Sequence, residues 1–352
     1  MRIALVAASP DILGGQSVQA QALALGLRQA GYEVTFIPIN PPFPPGLRWL
    51  RRWPYARTLL NQALYLPSLG RLHRADVVHI FSASYWSFLL AVAPAILAAS
   101  RLGRRTVLNY HSGEAQDHLA RWGMLVHPWL RLVHEIVVPS EYLRSVFTAH
   151  GYRARVIRNV VDTSCFRYRE RASLRPRLLS TRNLEPYYRV DNTLEAFAVI
   201  KAQYPQATLT VAGYGSQEGR LRRLAASLGT DGIRFVGRVE PSAVAGLYES
   251  ADIFLNSSVV DNQPVSVLEA FAAGLPVVST GTGDIAAMVR DGETGLIVPP
   301  GDPAAMAKAV AILLGDPEFA VRIARRALQE VKRYTWPQVR EEWAAVYSGA
   351  PA

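Results

Sequence analysis

Two acids, Asp261 and Glu269, stand with seven residues between them, around a proline, in the stretch DNQPVSVLEAFAAGLPVVST (261–280). Pro264 fits the first turn of a helix running to Ala273, with Gly274 as its stop. The first N–H groups of such a helix, at Val265 and Ser266, have no intrahelical acceptor and carry the positive end of its dipole. With the preceding loop residue Asn262 they form a place for an anion, and a phosphate suits it. Glu269, one turn in, cannot hold that phosphate because like charges repel. It is suited to accept hydrogen bonds from sugar hydroxyls, as acids do on ribose in dinucleotide folds. Asp261 is placed to do the same for a second sugar. One phosphate site with two hydroxyl acceptors describes a nucleotide-sugar. Spacing alone leaves open the plainer alternative of a turn acid and a solvated helix acid.

Three other groups carry chemistry. Gly14 and Gly15 in VAASPDILGGQSVQAQ (6–21) let backbone approach a ligand ahead of a helix starting near Ser17. A second glycine run, AGYGSQEGRL (212–221), holds Gly215 and looks like a dinucleotide fingerprint, but Glu218 stands where the third glycine belongs. His111 ends the strand candidate TVLNYH, at a carboxyl end where ligands gather, although a lone histidine is more often structural. No Asp-x-Asp occurs in the chain, so a metal held in that way is not expected.

The elements that must position these residues are buried strands alternating with helix-length segments, the pattern of parallel sheets wrapped in helices. RIALVAA, EVTFIPI, DVVHIF, RTVLNYH, EIVVP and RARVIRN lie in the first half; RLLSTRN, ATLTVAG, IRFVG, ADIFLN, LPVVST and GLIVP lie in the second. Two sets of six predict two doubly wound domains, residues 1–165 and 166–332, with a polar, arginine-rich joint. The segment 333–352 is expected to be a helix packing back across that joint. Asp302 and Pro303 should start another helix as N-cap and first residue.

The 261–280 block, continuing as GTGDIAAMVRDGETGLIVPPGD, resembles the retaining glycosyltransferases of family 4, also called glycosyl transferases group 1, and the resemblance extends over essentially the whole chain. It implies the α/β fold called GT-B, two Rossmann-like domains facing a cleft, with the acceptor on the first and the nucleotide-sugar on the second. It also implies a hexosyltransferase type of enzyme that needs no cofactor or metal beyond a UDP- or GDP-linked donor as substrate. Glu269 would then bind the nucleotide ribose, the Asp261 loop the transferred sugar, and the Val265 and Ser266 amides a phosphate. The family's first acid is usually Glu, and Asp261 is one methylene shorter. In STRNLEPYYRVDNTLEAF (180–197) the family carries an arginine, then a lysine about five residues on, as a clamp on the diphosphate. Arg182 matches the arginine; Tyr187 and Tyr188 occupy the lysine region, and Arg189 is the candidate replacement. The resemblance also puts His111 against the transferred sugar, Gly14 and Gly15 near the donor phosphate, Gly215 on the donor side, Asn159 in a cleft-shaping turn, and Arg238 in FVGRV (235–239) beside the base. Two rivals are an epimerase of the same architecture and an NAD-binding or non-catalytic Rossmann protein.

Composition sets the remaining bounds. The 352 residues are half hydrophobic, as in a folded globular chain, and include one cysteine, Cys165, so no internal disulfide forms. The N-terminal MRIALVAAS reads as a strand rather than a signal peptide, and no apolar run is long enough to span a bilayer. A cytoplasmic setting is expected. Of the formal +10 charge, +9 falls in residues 1–165. Residues 41–74 contribute six arginines (48, 51, 52, 57, 71 and 74) and no acid, interleaved with Trp49, Trp53, Tyr55, Leu59, Leu60 and Leu64. That composition suits an anionic membrane interface at the inner face of the plasma membrane, and hence a lipid-linked, envelope or other glycan acceptor. The alternative is ordinary packing with solvated arginines. No nucleic-acid-binding module is present, so nucleic acid is not an expected partner. The oligomeric state is not encoded in any motif.

Overall fold

The computed structural model describes residues 1–9 and 15–350. The chain divides into two compact units, Met1–Val160 with Trp336–Ala352, and Val161–Thr335.

In the first unit a six-stranded parallel sheet comprises β1 (Arg2–Ala7), β2 (Glu33–Pro38), β3 (Val77–Ser82), β4 (Arg105–Tyr110), β5 (Glu135–Val138) and β6 (Arg155–Val156). Their spatial order is β2-β1-β3-β4-β5-β6. Successive side chains of a strand point to opposite faces, and both faces are covered. Ile3, Leu5 and Ala7 enter one core, Ala4 and Val6 the other. This two-sided burial is why these strands read as continuous apolar runs. The helix Trp336–Ser348 closes the Ile3 side through Val339, Trp343, Val346 and Tyr347. There the Tyr347 hydroxyl lies 2.9 Å from Nδ1 of His79, a fully buried imidazole whose pKa burial pushes down to about 3. The C-terminal helix is thus part of the first unit's core.

The second unit repeats the plan with β7 (Arg177–Ser180), β8 (Thr208–Ala212), β9 (Ile233–Gly237), β10 (Ile253–Asn256), β11 (Val277–Thr280) and β12 (Leu296–Val298), in the order β12-β11-β10-β7-β8-β9. All twelve expected strands are present, and every strand pairing is parallel. Asp302 caps its helix by accepting from the Ala305 amide at 2.8 Å, with Pro303 as the first helical residue. The order reverses between β7 and β10: β8 and β9 extend to one side of β7, and β10 to β12 extend to the other. Loops leaving the carboxyl ends of two such strands diverge and open a crevice, which is where ligands bind in this class of sheet. The loop after β7 carries Arg182, and the loop after β10 carries Asp261.

Candidate functional site

The helix after β10 spans Val265–Ala273 and ends at Gly274. Pro264 is its N-cap residue, extended at φ −66°, ψ 119°, so the helix starts one residue later than its sequence suggests. No side chain caps this start. Val265 and Ser266 therefore supply the first helical N–H groups at the β7/β10 crevice, where the dipole favours an anion. Asn262 and Pro264 are buried beside them.

Arg182 comes to this helix start from the neighbouring strand. Its Nη1 donates to Ser266 Oγ at 2.9 Å, and its Nη2 is paired with Asp261 Oδ2. The guanidinium lies 4.1 Å from the Tyr188 ring centroid, a cation–π stack. Both charged side chains are nearly buried, 9% and 12% exposed, so the pair is shielded from the screening that weakens surface ion pairs. The Nε of Arg182 is buried without an acceptor among the described residues. A buried charged donor left unsatisfied in the protein alone is a mark of a ligand site. Tyr188, in the region where the resembling family carries lysine, thus presents its ring face to the arginine.

Glu269 sits one turn into the helix, partly buried, with Oε2 accepting from the Tyr248 hydroxyl at 2.7 Å. That hydroxyl is also 2.7 Å from Thr181 Oγ1 and 3.1 Å from the Ser266 carbonyl. Burial raises the Glu269 pKa above the usual range, against the Tyr248 hydrogen bond and the Arg182 charge, which both lower it. Tyr248 was not singled out from the sequence. It is the one fully buried residue of the helix Pro241–Ser250, whose Val244 and Leu247 are half-buried against the core, and no spacing rule links it to Glu269.

Gly215 and Gly283 are among the glycines required by close approach. A Cβ on Gly215 would come within 2.4 Å of the Leu184 carbonyl oxygen, and one on Gly283, whose φ is 57°, within 2.0 Å of the Asp261 carbonyl oxygen. The glycine run after β8 is thereby explained by the backbone it packs against: Leu184 N–H donates to the Tyr214 carbonyl at 3.0 Å, and Gln217 N–H to the Leu184 carbonyl at 2.9 Å. It braces the Arg182 loop from behind. The Gly283 turn does the same for the Asp261 loop.

Of the remaining expected residues, Arg189 and Arg238 bond elsewhere in this unit, and the others belong to the first unit or lie outside the described residues. Arg189 has a left-handed backbone, φ 44° and ψ 45°, and its guanidinium turns back onto its own helix, donating to Asp191 Oδ1 at 3.0 Å and Asn192 Oδ1 at 2.9 Å. Ser257 Oγ fixes that turn by donating to the Arg189 carbonyl at 2.6 Å. Arg238 follows edge strand β9, exposed, 6.0 Å from the Tyr214 ring centroid and paired with Glu240 at 3.4 Å. His111, in the first unit, stacks on Phe81 at 5.1 Å, and burial lowers its pKa to about 4; its Nε2 is buried without a partner among the described residues. Gly15 begins the helix Gly15–Gln29 with open space where a Cβ would stand, while Gly14 lies outside the described residues. Asn159 is buried, and Val160 after it is held through both its N–H and its carbonyl by Gln19, at 2.8 and 2.7 Å.

Taken together, the crevice offers helix-start amides, a guanidinium with an unmet donor, and a carboxylate held by a tyrosine. That set can hold an anionic phosphate and the hydroxyls attached to it. The family models agree with this chemistry: "Glycosyl transferases group 1" matches residues 168–330, and "Glycosyltransferase Family 4" matches residues 13–164. The chain belongs to the group 1 glycosyltransferases. It is 28% identical over 408 aligned residues to glycogen synthase of Mycobacterium tuberculosis (strain ATCC 25618 / H37Rv), with 99% of this chain and 95% of that one covered. It is also 28% identical over 285 residues to phosphatidyl-myo-inositol mannosyltransferase of Mycobacterium leprae (strain TN), covering 77% and 73%. Among solved structures, Anabaena HepE in complex with UDP and glucose superposes with a TM-score of 0.74 at 18% identity, covering 99% and 100%. Sucrose-phosphate synthase from Thermosynechococcus elongatus does so at 0.75 and 18%, covering 99% and 98%. Those structures fix the fold as GT-B, and this glycosyltransferase is an enzyme of that architecture. The epimerase and NAD-binding rivals are not favoured.

Proposed function

We propose that this glycosyltransferase is retaining and metal-independent, and that it moves a sugar from a UDP- or GDP-linked donor to a glycan, lipid-linked or envelope acceptor. The observation that carries the reading is the convergence of Arg182, the Val265–Ser266 helix start, Asp261 and Glu269 at the β7/β10 crevice. Arg182 and the helix-start amides take the diphosphate and stabilise the charge that develops as it leaves. Glu269 accepts from the ribose hydroxyls, and Asp261 serves the transferred sugar. Arg189, Arg238, Gly14, Gly15, Gly215 and His111 have supporting roles at the phosphate, the base and the sugar. Metal independence is supported by the missing Asp-x-Asp and by the commitments of the two site acids, Asp261 to Arg182 and Glu269 to Tyr248. The step is a front-side displacement: the anomeric C–O bond to phosphate breaks, the bond to the acceptor oxygen forms on the same face, and the leaving phosphate accepts the acceptor's proton. The test is turnover in excess EDTA with the product read by NMR. Undiminished transfer with retained anomeric configuration is expected. Rescue of a chelated enzyme by Mn²⁺ or Mg²⁺ overturns metal independence, and inversion overturns the mechanism.

Donor binding should carry the pH signature of Glu269. Its raised pKa means that the donor-free unit is most stable with this carboxyl protonated and loses that contribution as pH rises through the raised value. Hydroxyl donors prefer the ionised form. Affinity for the nucleoside diphosphate should therefore increase as pH rises through that raised value, read by calorimetry. In Glu269→Gln that slope should disappear. A slope unchanged by the substitution assigns it to another group.

A membrane-facing acceptor is supported by the first unit's surface. Trp49, Trp53, Tyr55 and Leu59 are exposed, together with Arg48, Arg51, Arg52 and Arg57, on the short helices Pro45–Arg52 and Pro54–Ser68. Pro45 and Pro54 start the two helices, and Pro67 lies in the last turn of the second. Among the described residues no helix is long and apolar enough to cross a membrane. Aromatic groups at the acyl boundary and cations on head groups, each adding about 1 kcal/mol, fit peripheral binding at the cytoplasmic face. The protein should float with anionic but not neutral liposomes, and Arg48, Arg51 and Arg52 changed to Ser should abolish flotation. Failure to float with anionic vesicles at low salt turns the reading toward a soluble acceptor.

A further inference from the structure

The first unit holds a second group of chemistry-bearing side chains at the carboxyl ends of β3 and β4, which are adjacent parallel strands. Beyond β3 the chain passes Ser84 to Tyr85, whose φ is 55°; Tyr85 and Arg189 are the non-glycine residues with positive φ among those described. For a bulky side chain this backbone is strained and persists only where the surroundings impose it. They do so here. The Tyr85 hydroxyl donates to Asp117 Oδ2 at 2.7 Å, and its ring lies edge-on to His118 at 5.2 Å and to Trp122 at 5.6 Å. Beneath it, Ser84 Oγ, Tyr110 Oη and His118 Nδ1 form a buried chain of two 2.8 Å contacts. His118 is fully buried, and its Nε2 has no partner among the described residues. Trp86, by contrast, leaves 65% of its surface in solvent while standing perpendicular to Trp122 at 5.2 Å.

We propose that this is a carbohydrate subsite, in which the apolar C–H face of a pyranose ring stacks on Trp86 and its hydroxyls donate to Asp117 and Glu114. An exposed indole held rigidly offers a large apolar area at low entropic cost, and carboxylates beside it accept from the polar rim of a sugar. Glu114 lies close enough to Asp117 for that charge to raise its pKa, after the larger effect of partial burial, so the two acids share one locality. Charge separates this place from the other exposed aromatic surface. Residues 41–74 contain arginines and no acid, which suits anionic head groups, whereas here Arg121 pairs with Asp117 Oδ1 at 2.8 Å and Glu114 adds a second acid, so this locality lacks the cationic excess that head groups need. The subsite's part in transfer rests on the proposed glycan acceptor.

The full chain labelled with 5-fluorotryptophan makes the subsite visible by fluorine NMR, the Trp86 resonance being the one lost in Trp86→Phe. Neutral gluco-, manno- and galacto-oligosaccharides are the probes. At least one should shift the Trp86 resonance saturably, and Asp117→Asn should weaken that binding about fivefold or more. UDP and GDP affinity should be the same in Asp117→Asn as in the native chain. If no oligosaccharide moves the resonance, or if anionic vesicles move it and sugars do not, the subsite is overturned. Sugar binding at Trp86 without nucleotide-sugar turnover would leave the subsite standing and remove the transfer reading. Turnover without a sugar-dependent shift would do the reverse.

Discussion

Glu269→Ala is expected to lower transfer by orders of magnitude and to weaken nucleoside diphosphate binding roughly 10- to 150-fold, with the fold intact. The loss follows from removing a charged acceptor for the ribose hydroxyls, worth about 1.5–3 kcal/mol. The fold should survive because Glu269 caps nothing: its helix begins at Val265 on backbone geometry and ends at Gly274. The carboxyl's raised pKa also shows that the donor-free protein gains little from its charge. Tyr248 loses one partner but keeps the Ser266 carbonyl at 3.1 Å, so no buried hydroxyl is stranded. Circular dichroism and the unfolding midpoint should match the native protein while calorimetry reports the weakened nucleotide. Near-normal binding in a folded Glu269→Ala variant would count against the ribose assignment.

What made Glu269 readable in the sequence was local. The helix start, the acid one turn in and the stop at Gly274 lie within eleven residues, Pro264 to Gly274, and the strands on either side are buried on both faces and so appear as plain apolar runs. The same holds for the inner strands β1, β3, β4, β5 and β7, whereas the edge strands β2, β6, β9 and β12 are only partly buried. The site's internal bonding was not readable, because it joins positions far apart in the chain. Arg182 and Asp261 are 79 residues apart, and Tyr248 and Glu269 are 21 apart. No periodicity relates such pairs; they meet because the strand order reverses between β7 and β10. Arg189 shows the same limit. Its charge suggests a phosphate ligand, but neither its left-handed backbone, whose carbonyl accepts from the Ser257 hydroxyl of another strand's loop, nor its bonds to Asp191 and Asn192 could be read from that charge. Gly215 was noticed for what glycine allows, and the structure supplies the neighbouring carbonyl that demands it.

The Arg182–Asp261 pair leads to an expectation with two opposite signs: Asp261→Asn should bind UDP or GDP about three- to tenfold more tightly while transferring sugar at least about a hundredfold more slowly. Asp261 holds Nη2 of Arg182, and Ser266 holds Nη1. A phosphate entering the helix start needs that guanidinium, so it must displace the carboxylate. Asparagine keeps the shape but removes the charge, and a neutral hydrogen bond is about 1 kcal/mol weaker than a charged one, so the phosphate meets less competition. Displacement also frees Asp261 for the sugar, which is why the same substitution that favours the product nucleotide should impair turnover. Arg182→Ala should behave differently. It leaves Asp261 without its cation at 12% exposure, and breaking a buried pair costs up to about 3–5 kcal/mol, so both stability and nucleotide binding should fall. Arg182→Lys should recover stability better than binding, because an ammonium restores the charge but not the planar fork. Arg189→Ala should have a smaller effect than either, since its guanidinium is already bound to its own helix. Calorimetric titration of the four variants with UDP and GDP, beside initial rates, separates these outcomes. If Asp261→Asn binds nucleotide more weakly than the native enzyme, the carboxylate does not compete with phosphate, and Asp261 serves to hold Arg182 in place.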